Sequence, residues 1–214
     1  MKMNYDTSPT RVNAVIEAFK KLYPTPVCAL HYSAPHELLF AVILSAQCTD
    51  ARVNLVTPML FERFPTLEDF AAADVLEVEE LIHSCGFFHQ KARALVNTAQ
   101  ILCNDYNGKL PDTLEALTAL PGVGRKTANL ILGDIYHKPA SVVTDTHCIR
   151  IANRLEFCAT KEPIQVERAL RAILPPEESS DFCHRCVLHG RALCMSRKPN
   201  CANCPLMGEL CRGA

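Results

Sequence analysis

No stretch of this 214-residue sequence alternates apolar and polar residues for long enough to make a convincing strand, whereas apolar residues recur at helical spacing along it. Val12, Val15, Ile16 and Phe19 fall on one helical face, as do Leu95, Ala99 and Leu102. Pro35 to Ser45 is apolar on every side, the mark of a helix buried all round. Asp74 suits the N-cap of a helix running to about Ile82, and Pro111-Asp112-Thr113 opens another. Glycine is scarce, and the clearest breaks are Pro139 and Pro175-Pro176. The expected fold class is all-α, built from roughly ten short helices.

Nearly half the residues, 49%, are hydrophobic, enough for a sizeable core. The longest apolar run, Leu38 to Ala46, falls short of the ~20 residues needed to span a bilayer. The start, Met1 to Asp6, is polar and has no apolar signal segment. A soluble, cytoplasmic protein with no membrane partner is expected, nucleoid-associated if bacterial. The net charge of −1 argues against a broad phosphate-tracking surface. A local one is permitted, because Arg125, Lys126, Arg150, Arg154, Arg185, Arg191, Arg197 and Lys198 all lie in the second half.

Twelve cysteines without an export signal point to metal or cluster ligation rather than disulfides. Cys194, Cys201, Cys204 and Cys211 are spaced C-x6-C-x2-C-x6-C, so four thiolates can close around one centre. The spacing alone leaves an iron–sulfur cluster and a tetrahedral zinc both open. Cys28, Cys48, Cys85, Cys103, Cys148 and Cys158 stand among apolar residues and are expected to fill the core.

Leu120-Pro121-Gly122-Val123-Gly124 separates two helical stretches. Two glycines around a valine let the backbone turn tightly and bare its N–H groups, and the next helix starts at about Gly124. Free amides and the positive dipole end then point one way, which makes a site for one phosphate. That is a helix–hairpin–helix, a sequence-independent grip on the DNA backbone. Lys126 follows at once. The buried stripe of its helix is Ala128, Ile131, Leu132 and Ile135, and Lys126 falls almost opposite it. The helix end and the adjoining Arg125 both favour a neutral amine there, the form that attacks a sugar C1′ and makes a Schiff base.

The run from Leu120 to Asn129, followed by Asp145-Thr146-His147, closely resembles the endonuclease III family of DNA glycosylases. Leu44 to Asp50 is similar to that family's early motif, Gly86 to Ala92 to the loop before its long helix, and Leu188 to Arg191 to the lead-in to its cluster. The resemblance implies that Lys126 is the nucleophile and Asp145 the carboxylate that assists it and stabilises charge on the sugar. Asp145 is also a good N-cap for the helix through Cys148, Ala152 and Leu155, and the two roles are compatible. Gln47 would fill the gap left by an extruded nucleotide. A second wedge, usually leucine in the family, is replaced here by Phe87, an aromatic that could stack, or alternatively belong to the core.

The resemblance extends DNA contact to Gly122, Val123, Gly124, Arg125, His147, Arg197 and Lys198. It implies a [4Fe–4S] cluster on Cys194, Cys201, Cys204 and Cys211, with one residue more between the last two than the family pattern has. Cys183 and Cys186 would lie on a helix and ligate nothing. Two helical domains are implied, with a DNA-binding cleft between them. One is a six-helix domain with the hairpin, about 28–138, and the other combines 1–27 with 139–214 and holds the cluster.

The expected partner is duplex DNA containing damaged bases or abasic sites, bound by a monomer. The implied activity is that of a bifunctional DNA glycosylase/AP lyase on oxidised pyrimidines. A monofunctional mismatch glycosylase would lack the lysine. An adenine mismatch glycosylase would need a long C-terminal recognition domain, whereas this sequence ends three residues after Cys211. A non-catalytic iron–sulfur DNA-binding protein is the alternative of another class.

Overall fold

The computed structural model describes residues 6–213; Met1 to Tyr5, most of the polar start read above, and Ala214 lie outside them. Among the described residues the chain forms eleven α-helices and no strand. They are α1 (Pro9–Leu22), α2 (Pro35–Leu44), α3 (Asp50–Arg63), α4 (Leu67–Ala71), α5 (Val75–Ile82), α6 (Phe88–Asp105), α7 (Leu114–Thr118), α8 (Arg125–Asp134), α9 (Thr146–Arg154), α10 (Pro163–Ile173) and α11 (Ser179–Ala192). Short 3-10 turns cover His83–Cys85, Pro176–Glu178 and Cys201–Asn203. The all-α expectation holds. No helix among the described residues is long and apolar enough to cross a membrane.

Side-chain caps fix several helix starts. Ser8, with Pro9 behind it, accepts from the Arg11 amide, Thr49 from Arg52, and Thr113 from Ala116. Asp74 caps α5 through the Leu76 amide at 2.9 Å, as its position in the sequence suggests. Thr66 and Asp69 form a reciprocal capping box on α4. Each such cap is worth about 1 kcal/mol.

The chain divides into two compact units, one of residues Cys28–Tyr136 and one of Met1–Val27 with His137–Ala214. In the first, α2 is buried from Leu38 to Leu44 and packs on α3, α6 and α8. Phe40 meets Phe70 edge-on, ring centroids 4.7 Å apart. The predicted stripe of Leu95, Ala99 and Leu102 is buried on α6, which packs on α4 and α5.

In the second unit α1 buries Val12, Val15, Ile16 and Phe19 and packs on α11. Phe19 lies 5.6 Å from Phe182, centroid to centroid. Fully buried side chains of this size contribute roughly 2–3 kcal/mol each. The scattered cysteines divide: Cys85, Cys148 and Cys158 are buried, but Cys28, Cys48 and Cys103 are only half-buried, so the core-filling expectation fails for these three. Each of the three lies near the end of a helix or in a loop, where the neighbouring turns leave one side open.

Candidate active site and cysteine loop

The hairpin joins α7 to α8. Its turn is closed by the Val123 amide donating to the Leu120 carbonyl at 3.1 Å, and Thr98 Oγ1 on α6 donates to the Pro121 carbonyl at 3.1 Å. Gly122 has φ +75°, and a Cβ there would meet Ala94 Cβ at 3.1 Å and Ile43 Cγ2 at 3.2 Å. The backbone conformation therefore favours glycine, and a side chain there would also press on Ala94 and Ile43. Val123 is buried and pins the turn, while Gly122 and Gly124 are exposed. No side chain caps the start of α8. The exposed turn thus keeps the backbone N–H groups and positive helix end that the sequence predicted.

Arg125 and Lys126 are exposed in the first turn of α8, with Ala128, Ile131 and Leu132 buried behind them. The burial is wider than the predicted stripe, since Asn129 and Leu130 are buried too, and Ile135 is only half-buried at the helix end. Lys126 belongs to the unit 28–136 and Asp145 to the other unit.

Asp145 is the N-cap of α9, and its Oδ1 accepts the Cys148 amide at 2.7 Å. Its surroundings are an unforeseen group of buried thiols. Cys148 Sγ lies 3.9 Å from Cys183 Sγ, and Cys183 Sγ accepts the Val143 amide at 3.3 Å. The hydrogen bond to Cys148 and full burial hold Cys183 well above the ordinary thiol range, and burial raises Cys186. These thiols stay neutral and pack under the carboxylate's helix. Cys183 and Cys186 lie inside α11, in helix as predicted.

Gln47 is exposed in the link between α2 and α3, with φ +52°. Phe87 has φ +49° at the N-cap of α6 and is 61% exposed, so it is no core residue. Left-handed backbone at a non-glycine residue costs on the order of 1–2 kcal/mol. Two such residues with exposed side chains mark loops held in shape by their surroundings. The holder was missed in the sequence. Lys91, 6% exposed, donates from Nζ to the carbonyls of Leu44 at 2.8 Å and Cys85 at 2.7 Å. The signal was present, because Lys91 stands four residues before Leu95, in line with the buried stripe.

Cys194, Cys201, Cys204 and Cys211 line one pocket, otherwise walled by residues such as Ile151, Leu155, Leu193 and Leu206. Arg154, at the end of α9, donates from Nη1 to Cys194 Sγ at 3.1 Å and to the Met195 carbonyl at 2.8 Å. Cys211 Sγ donates to the Arg154 carbonyl at 3.6 Å. His189 Nε2 lies 3.6 Å from Cys204 Sγ, and its Nδ1 meets the Tyr23 hydroxyl at 3.2 Å. Burial pushes the His189 imidazole down to about 4, so it is neutral at physiological pH. Between Cys204 and Cys211 the chain makes a turn, where the Gly208 amide donates to the Cys211 carbonyl at 2.9 Å and Gly208 has φ +101°.

Four thiols facing one pocket, with N–H donors beside the sulfurs and apolar walls, fit a thiolate-held centre. Among the described residues no three His, Cys, Asp or Glu side chains stand close enough together to hold a single metal ion.

Several basic residues of the second half are engaged within their own unit. Arg150 donates to the carbonyls of Cys194 and Gly190, and Arg154 to the cysteine loop. Arg185 is 4% exposed, paired with Asp181 and Glu178 and donating to the Tyr23 carbonyl. These three guanidinium groups are taken up by carbonyls and carboxylates of the same unit. Arg197 and Lys198 are exposed in the loop after Cys194, Lys198 with φ +51°, and His147 is half-buried with Nδ1 3.0 Å from Arg150 Nη2.

Residues 40–176 match the model of the HhH-GPD superfamily base excision DNA repair protein. The chain is 43% identical to the endonuclease III of Synechocystis, over 95% of this chain and 93% of that one. It is 39% identical to that of Escherichia coli, over 92% of each. Among solved structures it is similar to a non-covalent endonuclease III–DNA complex, with a TM-score of 0.89, 40% identity, and 96% and 95% of the two chains covered. A trapped endonuclease III–DNA covalent intermediate matches with a TM-score of 0.88, 40% identity and 96% of each chain covered. A thermostable thymine-DNA glycosylase shares the fold, with a TM-score of 0.84 at 22% identity and 96% and 97% of the two chains covered. Matched by the family model over residues 40–176 and by these relatives over most of its length, the protein belongs to the endonuclease III family of the HhH-GPD superfamily of base excision DNA repair proteins.

Proposed function

We propose that the protein is a bifunctional DNA glycosylase and AP lyase that removes oxidised pyrimidines from duplex DNA and nicks the strand at the resulting abasic site. The observation that carries this reading is Lys126, exposed in the first turn of α8 directly after the hairpin. A similar protein of the same fold has been trapped as a covalent intermediate with DNA. The hairpin amides at Gly122 and Gly124, with Arg125, bind a phosphate and set the strand beside the amine, on a turn that Val123 closes through its own amide. Gln47 and Phe87 enter the stack as the damaged nucleotide turns out.

Lys126 Nζ attacks C1′ of the extruded nucleotide. The glycosidic bond breaks, and the base leaves with the bonding pair and takes up a proton. Asp145, held by the Cys148 amide, accepts a proton from the attacking amine and offsets positive charge on the sugar. The ring opens to a Schiff base on Lys126. Loss of a C2′ proton then expels the 3′ phosphate, which nicks the strand 3′ to the lesion, and water releases the lysine. Neither step needs a redox cofactor.

Cys194, Cys201, Cys204 and Cys211 would hold a [4Fe–4S] cluster, which supplies a cross-link that shapes the loop bearing Arg197 and Lys198. Four thiols also suit tetrahedral zinc, and it is the resemblance to the endonuclease III family that favours the cluster. Arg197, Lys198 and His147 contact the DNA. The relatives are bacterial, and the reading places the protein in the cytoplasm, at the nucleoid.

Borohydride trapping on a duplex with one thymine glycol tests the reading. The wild type should give a covalent adduct, and Lys126→Gln should give none while still binding damaged DNA. Nicking retained by Lys126→Gln would overturn the nucleophile. No adduct from folded wild type would favour a monofunctional or non-catalytic protein.

A further inference from the structure

We propose that Lys91 is a positioning residue for base extrusion, its buried ammonium group tying the loop that carries Gln47 to the loop that carries Phe87. The inference rests on the reading of Gln47 and Phe87 as the residues that fill the opened stack. Nζ reaches the Leu44 carbonyl at 2.8 Å and the Cys85 carbonyl at 2.7 Å. Leu44 is the last residue of α2, three before Gln47. Cys85 ends the 3-10 turn two residues before Phe87. One cation therefore holds the stem of each loop, across 47 and 6 residues of sequence.

The chemistry suits a clamp. The end of α2 presents carbonyls without helical partners and a negative dipole end, which a cation satisfies. An ammonium group has three donors and can hold two segments at once. Its burial is costly unless it is bonded, and the same buried stripe position would accept a methionine of similar length without that cost. A second tie lies in the same seam, where the Cys48 thiol hydrogen-bonds that of Cys85, in the residues next to Gln47 and Gly86. Gln47 and Phe87 both sit in the left-handed region, which persists only where the surroundings impose it. Phe87 is also the N-cap of α6, so Lys91, one turn along, fixes both the stem of its loop and the start of its helix.

The test uses the full-length, metal-loaded protein and a thymine glycol duplex with 2-aminopurine opposite the lesion. Four quantities are followed: the single-turnover rise in 2-aminopurine fluorescence, affinity by anisotropy, borohydride trapping at a preformed abasic site, and the thermal midpoint. Lys91→Met should slow the fluorescence rise about tenfold, the effect of losing roughly one buried charged hydrogen bond. Trapping at the abasic site and affinity should change by less than about threefold. Lys91→Arg, which keeps donors at the same place, should recover most of the rate. Should Lys91→Met not fold, Lys91→Gln is read in the same way.

An unchanged fluorescence rise, or a fall in rise and trapping by the same factor, would overturn the positioning role. Phe87→Ala separates the two levels. If it slows extrusion while Lys91→Met does not, only the role of Lys91 falls. If Phe87→Ala and Gln47→Ala both leave extrusion unchanged, the wedge reading fails and takes the clamp with it.

Discussion

At the scale of single residues, the functional candidates share one trait: their surroundings leave them little freedom. Gly122 combines φ +75° with side chains of Ala94 and Ile43 that a Cβ would meet at 3.1 and 3.2 Å, tight enough that they would have to give way. Gly122→Ala should destabilise the fold by about 1–3 kcal/mol and weaken binding to undamaged duplex. Urea unfolding and anisotropy check the two effects together. Lost affinity with unchanged stability would mean that the alanine is accommodated and only the phosphate contact suffers.

Lys126, Asp145 and the hairpin were legible in the sequence because each depends on local rules: a glycine pair, a helix start, a capping carboxylate. Lys91, Arg154 and Arg185 were not, because each has a partner far along the chain, at Leu44, Cys194 and Tyr23. The sequence shows three cations; only packing shows that their charges turn inward, to the carbonyls of Leu44 and Cys85, to the cysteine loop, and to Asp181. A cation in line with an apolar stripe was the available signal, and Lys91 before Leu95 carries it.

At the scale of elements, helical periodicity was a good guide wherever a helix has one dry side. The stripes of α1 and α6 fall where the spacing put them. It was a poorer guide for α8, which buries Asn129 and Leu130 beside the predicted stripe because α2 and α7 both pack on it. The 3-10 turn before Phe87 has no periodic signature and was invisible, although it aims that side chain. α2 has no exposed face from Leu38 to Leu44, and its end carries the Gln47 link. Phe40→Ala removes the ring that meets Phe70 and should cost about 3–5 kcal/mol in thermal or urea unfolding. A loss below about 1 kcal/mol would mean that the neighbouring helices collapse into the space.

At the scale of the whole molecule, the net charge is −1 while the proposed partner is a polyanion. Part of the positive charge, on Arg150, Arg154 and Arg185, is engaged internally, on carbonyls of the cysteine loop and on carboxylates of α11 and its lead-in. The exposed cations named at the candidate contacts are Arg125, Lys126, Arg197 and Lys198, and the hairpin adds uncharged amides. Binding to undamaged duplex should therefore depend weakly on salt, with a slope of log K against log salt near −3 to −4. Anisotropy between low and moderate salt measures it. A slope steeper than about −6 would require a basic surface drawn from other residues.

The left-handed backbone at Gln47 and Phe87 has a consequence for time. A repair protein meets an enormous number of sound base pairs for each damaged one, and its stay at any of them is brief. A probe that had to refold its loops on arrival would move on before the question was asked. On the proposed reading of Gln47 and Phe87, the Lys91 bonds hold the stems of both loops from within the protein, so the probe needs no rebuilding at each base pair and the delay falls on the nucleotide, which yields sooner when its pairing is already damaged.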